Sequence, residues 1–183
     1  VLDEAKIAAY QQQQRWLTGE SAVRLWRPSS LLEHFTALQA QYAISSGRGL
    51  DLACGAGRDA VWLALQGWQM TAVDYLPQAL EKTASLARRF QCEIRTQQMD
   101  LEPADWHWPD EERFDLVAVV RYLHRPLLTK IDQLLAPKGI VLYQTFMQGA
   151  ERFGSPKNPN RLLQEGELAR IFSGYSILLD SVD

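Results

Sequence analysis

Two cysteines, Cys54 and Cys92, are all the thiol chemistry in a chain of 183 residues. They are too few for a disulfide framework, and neither has a partner at metal-ligand spacing, so no metal site is expected. Thiols this sparse fit a reducing, cytoplasmic setting. Charge of one sign is scarce too: 19 Lys and Arg stand against 22 Asp and Glu, a net −3 at pH 7. No basic excess is left to neutralise a phosphate backbone, which argues against nucleic acid as a partner. No apolar run approaches the roughly 20 residues of a membrane helix. Residues 1–16 are polar and glutamine-rich, without the apolar core of a secretory leader. The first residue is Val1 rather than methionine, which raises the expectation of a trimmed chain or of fusion to a longer one.

What is present is a globular composition, 46% hydrophobic, enough for one domain with a substantial core. Short apolar runs alternate with helical patterns. Strands are predicted over 50–54, 69–74, 93–99, 114–120, 140–146 and 176–182. Helices are predicted over 31–42, 59–66, 78–90, 127–135 and 165–172, with a solvated lead-in helix over 3–15. Such alternation predicts an α/β fold, a doubly wound and mostly parallel sheet in three αβα layers. Residues 1–44 are expected to form a helical lead-in and cover, and 45–183 the core.

The densest signal is Leu50-Asp-Leu-Ala-Cys-Gly-Ala-Gly-Arg-Asp59: a strand, a glycine turn and the start of a helix. Asp74 closes the next apolar run, where an acid can accept from a ribose diol. Together they point to a nucleoside-containing cofactor. The spacing superficially satisfies a dinucleotide fingerprint, so an NAD-dependent oxidoreductase is one alternative. Asp51 argues against it. A carboxylate inside a strand costs stability if buried unpaired, and it makes sense as the acceptor for a ligand's ammonium group.

The segment Cys54-Gly-Ala-Gly57 resembles the first motif of class I S-adenosylmethionine-dependent methyltransferases, and later landmarks follow that family's order. Asp100 falls at the end of the third predicted strand, Phe114-Asp-Leu-Val-Ala-Val-Val120 is the fourth, and Pro137-Lys-Gly139 is a turn before the fifth. Two narrower segments, Val120-Arg-Tyr-Leu-His124 and Glu151-Arg-Phe-Gly-x-Pro-Lys-Asn158 followed by Gly166-Glu-Leu168, resemble the tellurite-resistance and thiopurine branch. The family's last, antiparallel strand has no counterpart before Asp183, which suggests truncation.

The resemblance implies a Rossmann-like methyltransferase sheet and S-adenosyl-L-methionine as cofactor, with S-adenosyl-L-homocysteine as product. It implies that backbone groups of Ala53 and Gly55, in the turn completed by Gly57, hold the methionine moiety. Asp74 would take the ribose hydroxyls, Asp100 the adenine amino group and the N–H of Leu101 the ring, with Tyr75 stacked on it. Arg58 either pairs with the cofactor carboxylate or lies on the surface. Trp26 could pack on the cofactor and Arg27 meet its carboxylate. Arg121 begins the loop beside the transferable methyl, where Tyr122 and His124 are the best groups to orient a substrate.

The long loop over 148–161 carries Arg152, Lys157 and Arg161 against Glu151 alone, and these cations could attract an anionic substrate. The expected acceptor is a small soft or anionic molecule, a thiol or a tellurium or selenium oxyanion. A non-catalytic cofactor-binding domain is the remaining alternative.

Overall fold

The computed structural model describes residues 27–103, 105–108, 111–154 and 156–182. Trp26 and the lead-in helix expected over 3–15 lie outside the described residues. Five strands form one sheet: β1 (Arg48–Leu52), β2 (Gln69–Asp74), β3 (Ile94–Gln98), β4 (Phe114–Val120) and β5 (Leu135–Gln144). Their order is β3-β2-β1-β4-β5, and every neighbouring pair is parallel. Helices α1 (Ser30–Gln41), α2 (Arg58–Leu65) and α3 (Pro77–Arg89) are joined by three short ones: α4 (Arg125–Leu128), α5 (Ile131–Leu134) and α6 (Glu167–Ile171).

The central strands are apolar on both faces because both faces are covered. Successive side chains of a strand point to opposite sides, and here they enter two separate cores. Leu50, Leu52, Val73, Val117 and Val119 pack with Leu127, Ile131 and Leu134. Met70, Ala72, Leu116 and Ala118 pack with Leu32, Phe35, Ala60 and Leu63. Each fully buried Val or Leu contributes about 1.5–3 kcal/mol, so β2, β1 and β4, each flanked by strands on both sides, form the buried centre of the sheet. Trp106 and Trp108 join the first core, with Trp108 edge-on to Phe114 at 5.3 Å between ring centroids.

Three expectations are corrected. The helix predicted over 127–135 is two short turns, α4 and α5, interrupted at Thr129-Lys130. Leu127, Leu128, Ile131 and Leu134 nevertheless all stay buried, because the interruption keeps their common face on the sheet. The Pro137-Lys-Gly139 turn lies within β5 as an irregularity: Leu135 pairs with Phe114 and Ile140 with Leu116, a shift in register absorbed by Lys138 at φ 65°. The strand predicted over 176–182 does not form. Ile177, Leu178 and Leu179 have strand-like composition but find no ladder partner, and they are left 52%, 46% and 39% exposed.

Among the described residues no helix is long and apolar enough to cross a membrane.

Candidate cofactor-binding site

Strand order reverses between β1 and β4, and in an open parallel sheet ligands bind outside the carboxyl ends at such a switch point. The chain leaves β1 in three left-handed steps, Ala53 at φ 58°, Gly55 at 57° and Gly57 at 74°. Ala53 is the costly one, since only glycine takes that conformation freely. A second non-glycine in the same region, Arg121 at φ 59°, follows β4 directly opposite, and its N–H donates to Gln144 O at 2.7 Å. Strained residues at both sides of one crevice mark where the sheet has been shaped for a ligand.

The turn is tied from two sides. Gly55 N–H donates to Asp74 Oδ2 at 2.8 Å, while Leu76 N–H donates to Asp74 Oδ1 at 2.9 Å. Each oxygen keeps acceptor capacity for a ligand hydroxyl. From beneath, the Thr83 hydroxyl of α3 lies 3.3 Å from Gly55 O and 3.0 Å from Ala79 O. Sequence reasoning missed Thr83; a buried polar residue on a helix facing a glycine was the only signal. The two glycines differ. A Cβ on Gly55 would meet nothing within 4 Å, whereas one on Gly57 would meet Thr83 at 2.4 Å. Gly55 therefore opens space for a ligand, and Gly57 closes a packing contact.

Asp51 is 2% exposed, and its Oδ2 has no hydrogen-bond partner among the described residues. Burial pushes its carboxyl well above the usual carboxylate range, the Asp59 charge pushes the same way, and a hydrogen bond from the Ala60 backbone pulls it back. A buried, unpartnered oxygen calls for a donor, and the ammonium of a bound amino acid is one. Asp59 is engaged elsewhere: it accepts Ser29 N–H at 2.8 Å, tying the start of α1 to α2, and pairs with Arg58 at 3.3 Å. The Cys54 thiol is also driven up, first by burial and then by the Asp51 charge.

This arrangement has a pH consequence. A carboxyl whose folded value is raised stabilises the fold fully below the ordinary value of about 3.9, and that contribution is lost as pH rises through the raised value. Asp51→Asn is expected to flatten the fall in stability of the ligand-free protein with rising pH, while weakening binding of an ammonium-bearing ligand at least tenfold. Urea unfolding at several pH values checks the first part; identical slopes for the two proteins would contradict it.

Next to the turn lies a crevice of about 540 Å³, within the range of small-molecule sites. Of the sequence-predicted residues it brings together Ala53, Asp74, Tyr75, Asp100, Leu101, Arg121 and Tyr122. It adds Leu76, Met99 and Glu102, which sequence reasoning did not assign. Tyr75 is 61% exposed at the rim. Asp100 Oδ1 accepts Glu102 N–H at 3.0 Å, shaping the loop after β3. His124 caps α4 outside this lining, and its Nε2 is buried with no partner among the described residues. Asp51, Gly55, Gly57 and Arg58 flank the crevice rather than line it.

Arg27, Arg152 and Lys157 are exposed and outside this lining. Arg161 does not stand as an unopposed cation: its Nη2 meets Glu102 Oε1 at 2.5 Å. The local positive excess expected of the loop is reduced accordingly. No group of three or more His, Cys, Asp or Glu among the described residues could hold a metal.

The Methyltransf_25 methyltransferase-domain family matches residues 50–139, which span β1 to the β5 irregularity. The uncharacterized protein UNK4.09 of Schizosaccharomyces pombe is 24% identical, covering 70% of this chain and 49% of its own length. The chain thus spans about half of that relative. Among solved structures, TehB from Haemophilus influenzae superposes with a TM-score of 0.63 at 16% identity, over 91% of this chain and 57% of TehB. An S-adenosylmethionine-dependent methyltransferase from Clostridium acetobutylicum gives 0.53 at 15% identity, over 73% and 56%. At these identities the structures speak for the fold, and the family match speaks for the segment that holds the glycine turn, Asp74 and Asp100. Residues 50–139, which hold the glycine turn, Asp74 and Asp100, match the methyltransferase-domain family, and the chain shares the fold of an S-adenosylmethionine-dependent methyltransferase.

Proposed function

We propose that this chain transfers a methyl group from S-adenosylmethionine to a small soft or anionic acceptor, a thiol or a tellurium or selenium oxyanion, as the tellurite-type sequence segments suggest. The observation that carries the cofactor reading is the buried Asp51 Oδ2 without a partner, beside a turn whose Gly55 faces open space. A dinucleotide has no ammonium for that carboxylate.

In this reading Asp51 accepts from the ammonium, directly or through water. The backbone of Ala53 and Gly55, with the N-terminus of α2, holds the rest of the amino-acid moiety. Asp74 takes the ribose hydroxyls, Tyr75 and Tyr122 flank the adenine, and Asp100 and the Leu101 N–H read its edge. Bound S-adenosylmethionine would supply an electrophilic methyl on a sulfonium.

The protein's part is then to position an acceptor in line with that methyl and to keep water out. An ionised chalcogen needs no strong base, and Tyr122 offers none, since burial and then the Glu102 charge push its phenol up. The His124 Nε2, buried and unpartnered, is the group left to orient the acceptor. Calorimetric titration is expected to show S-adenosylhomocysteine binding and no NAD binding. A cofactor-dependent methylation screen of thiols, selenite and tellurite tests the acceptor; activity on none of them overturns the acceptor class.

A further inference from the structure

The sequence reads Arg161, with Arg152 and Lys157, as a loop cation able to attract an anionic substrate, yet its guanidinium closes three contacts at the mouth of the crevice. Nη1 donates to Leu123 O at 3.0 Å, in the loop after β4. Nη2 donates to Glu102 Oε1 at 2.5 Å, in the loop after β3. The guanidinium carbon lies 5.8 Å from the centroid of the Tyr122 ring. Glu102 and Tyr122 both line the crevice. One side chain from the segment after β5 therefore braces two facing walls.

The brace is itself fixed. Arg161 ends a short 3-10 turn, Pro159–Arg161, capped by the Asn158 carboxamide. Arg125 donates to Asn160 O at 2.9 Å and Leu162 O at 3.1 Å, the carbonyls on either side of Arg161. It also forms a two-pronged pair with Glu167 at 2.7 and 2.9 Å, the planar geometry that makes such pairs strong. Tyr122 is held from behind as well, its carbonyl accepting from Tyr143 Oη at 2.8 Å.

We infer that Arg161 is a positioning residue of the adenosine end of the site: by holding the Glu102 carboxylate and the Tyr122 ring it sets the width of that crevice, and so couples the segment after β5 to cofactor retention. The inference rests on the cofactor reading above. An exposed ion pair adds little to global stability, so the pair's main effect falls on the ligand. A ring already fixed in the wall loses no further rotamer freedom when a base stacks on it.

The test uses two probes: S-adenosylhomocysteine, and 5′-methylthioadenosine, which keeps the adenosine but has no amino acid. Arg161→Gln is expected to weaken both by the same factor, about five- to tenfold, with the melting temperature little changed. Glu102→Gln should do likewise, and the double variant should lose no more than either single one, the mark of a coupled pair. Arg161→Lys, which keeps charge without the planar fork, should recover part of the affinity. Asp51→Asn provides the contrast, weakening S-adenosylhomocysteine alone.

If wild-type protein binds S-adenosylhomocysteine and Arg161→Gln binds both probes within twofold of it, the inference is overturned and the cofactor reading survives. Independent, multiplying losses in the double variant also overturn it. Absence of binding by the wild-type protein would remove the cofactor reading and this inference together.

Discussion

Asp74→Ala is expected to weaken S-adenosylhomocysteine binding at least a hundredfold, close to the point where calorimetry no longer detects it. Two effects add. The first is direct: hydrogen bonds to a charged group contribute about 1.5–3 kcal/mol each, and even one such loss with partial relaxation of the other approaches the roughly 2.7 kcal/mol that a hundredfold requires. The second passes through the turn. Asp74 accepts both Gly55 N–H and Leu76 N–H, so its removal frees the backbone proposed above to cradle the amino-acid moiety.

The two effects separate experimentally. Loss of the tethers alone should lower the unfolding free energy of the ligand-free protein by about 1–3 kcal/mol, whereas the ribose contacts leave it untouched. Asp74→Asn, with one carbonyl oxygen left, should fall between wild type and Ala in both measurements. Asp74→Ala binding within tenfold of wild type would place the ribose elsewhere.

The place of Asp74 in the crevice wall could be read from the sequence because its pattern is local: an acid where an apolar run stops, in the strand after a glycine turn. The same holds for β2 and β4, whose bounds at Gln69–Asp74 and Phe114–Val120 match the predicted ones. Both are mostly apolar runs whose central residues are buried on both faces, and nothing competes with that pattern. β5 was misjudged because Pro-Lys-Gly is turn chemistry wherever it stands; only pairing with β4 carries it into a strand as an irregularity. The 176–182 run shows the converse, since composition suits a strand but a strand exists only where a ladder accepts its backbone.

The Glu102–Arg161 pair had no signature at all. Its members lie far apart in the chain, and their meeting depends on how the loops after β3 and β5 return over the sheet. Counting charges along one loop therefore overstated its positive excess. Thr83 belongs with them, because its contact with the turn is a property of how α3 packs. What the sequence displays is much of the lining of the crevice. What it hides are the side chains that hold that lining in place.

Gly57→Ala tests the hidden part, and its expected effect is on folding rather than on the ligand. The new Cβ would meet Thr83 Cγ2 and Oγ1 at 2.4 Å, and Thr83 cannot retreat: it is fully buried, with its hydroxyl held between Gly55 O and Ala79 O. Left-handed backbone with a side chain costs about 1–2 kcal/mol, and overpacking adds about 1–3 kcal/mol. A loss of about 3 kcal/mol should lower the melting temperature of a chain this size by roughly 6–12 °C.

Gly55→Ala isolates the backbone strain. It shares the positive φ, but its Cβ would enter empty space, so its melting temperature should fall by no more than about half as much, while S-adenosylhomocysteine binding suffers from a methyl group placed where the ligand belongs. Gly57→Ala combined with Thr83→Ala should regain part of the stability that Gly57→Ala loses, because the second change removes Cγ2 and Oγ1, the two nearest atoms the first one strikes, while the Thr83 Cβ at 2.6 Å remains. Equal melting temperatures for the two glycine variants, or no recovery in the double variant, would show that the turn does not rest on Thr83.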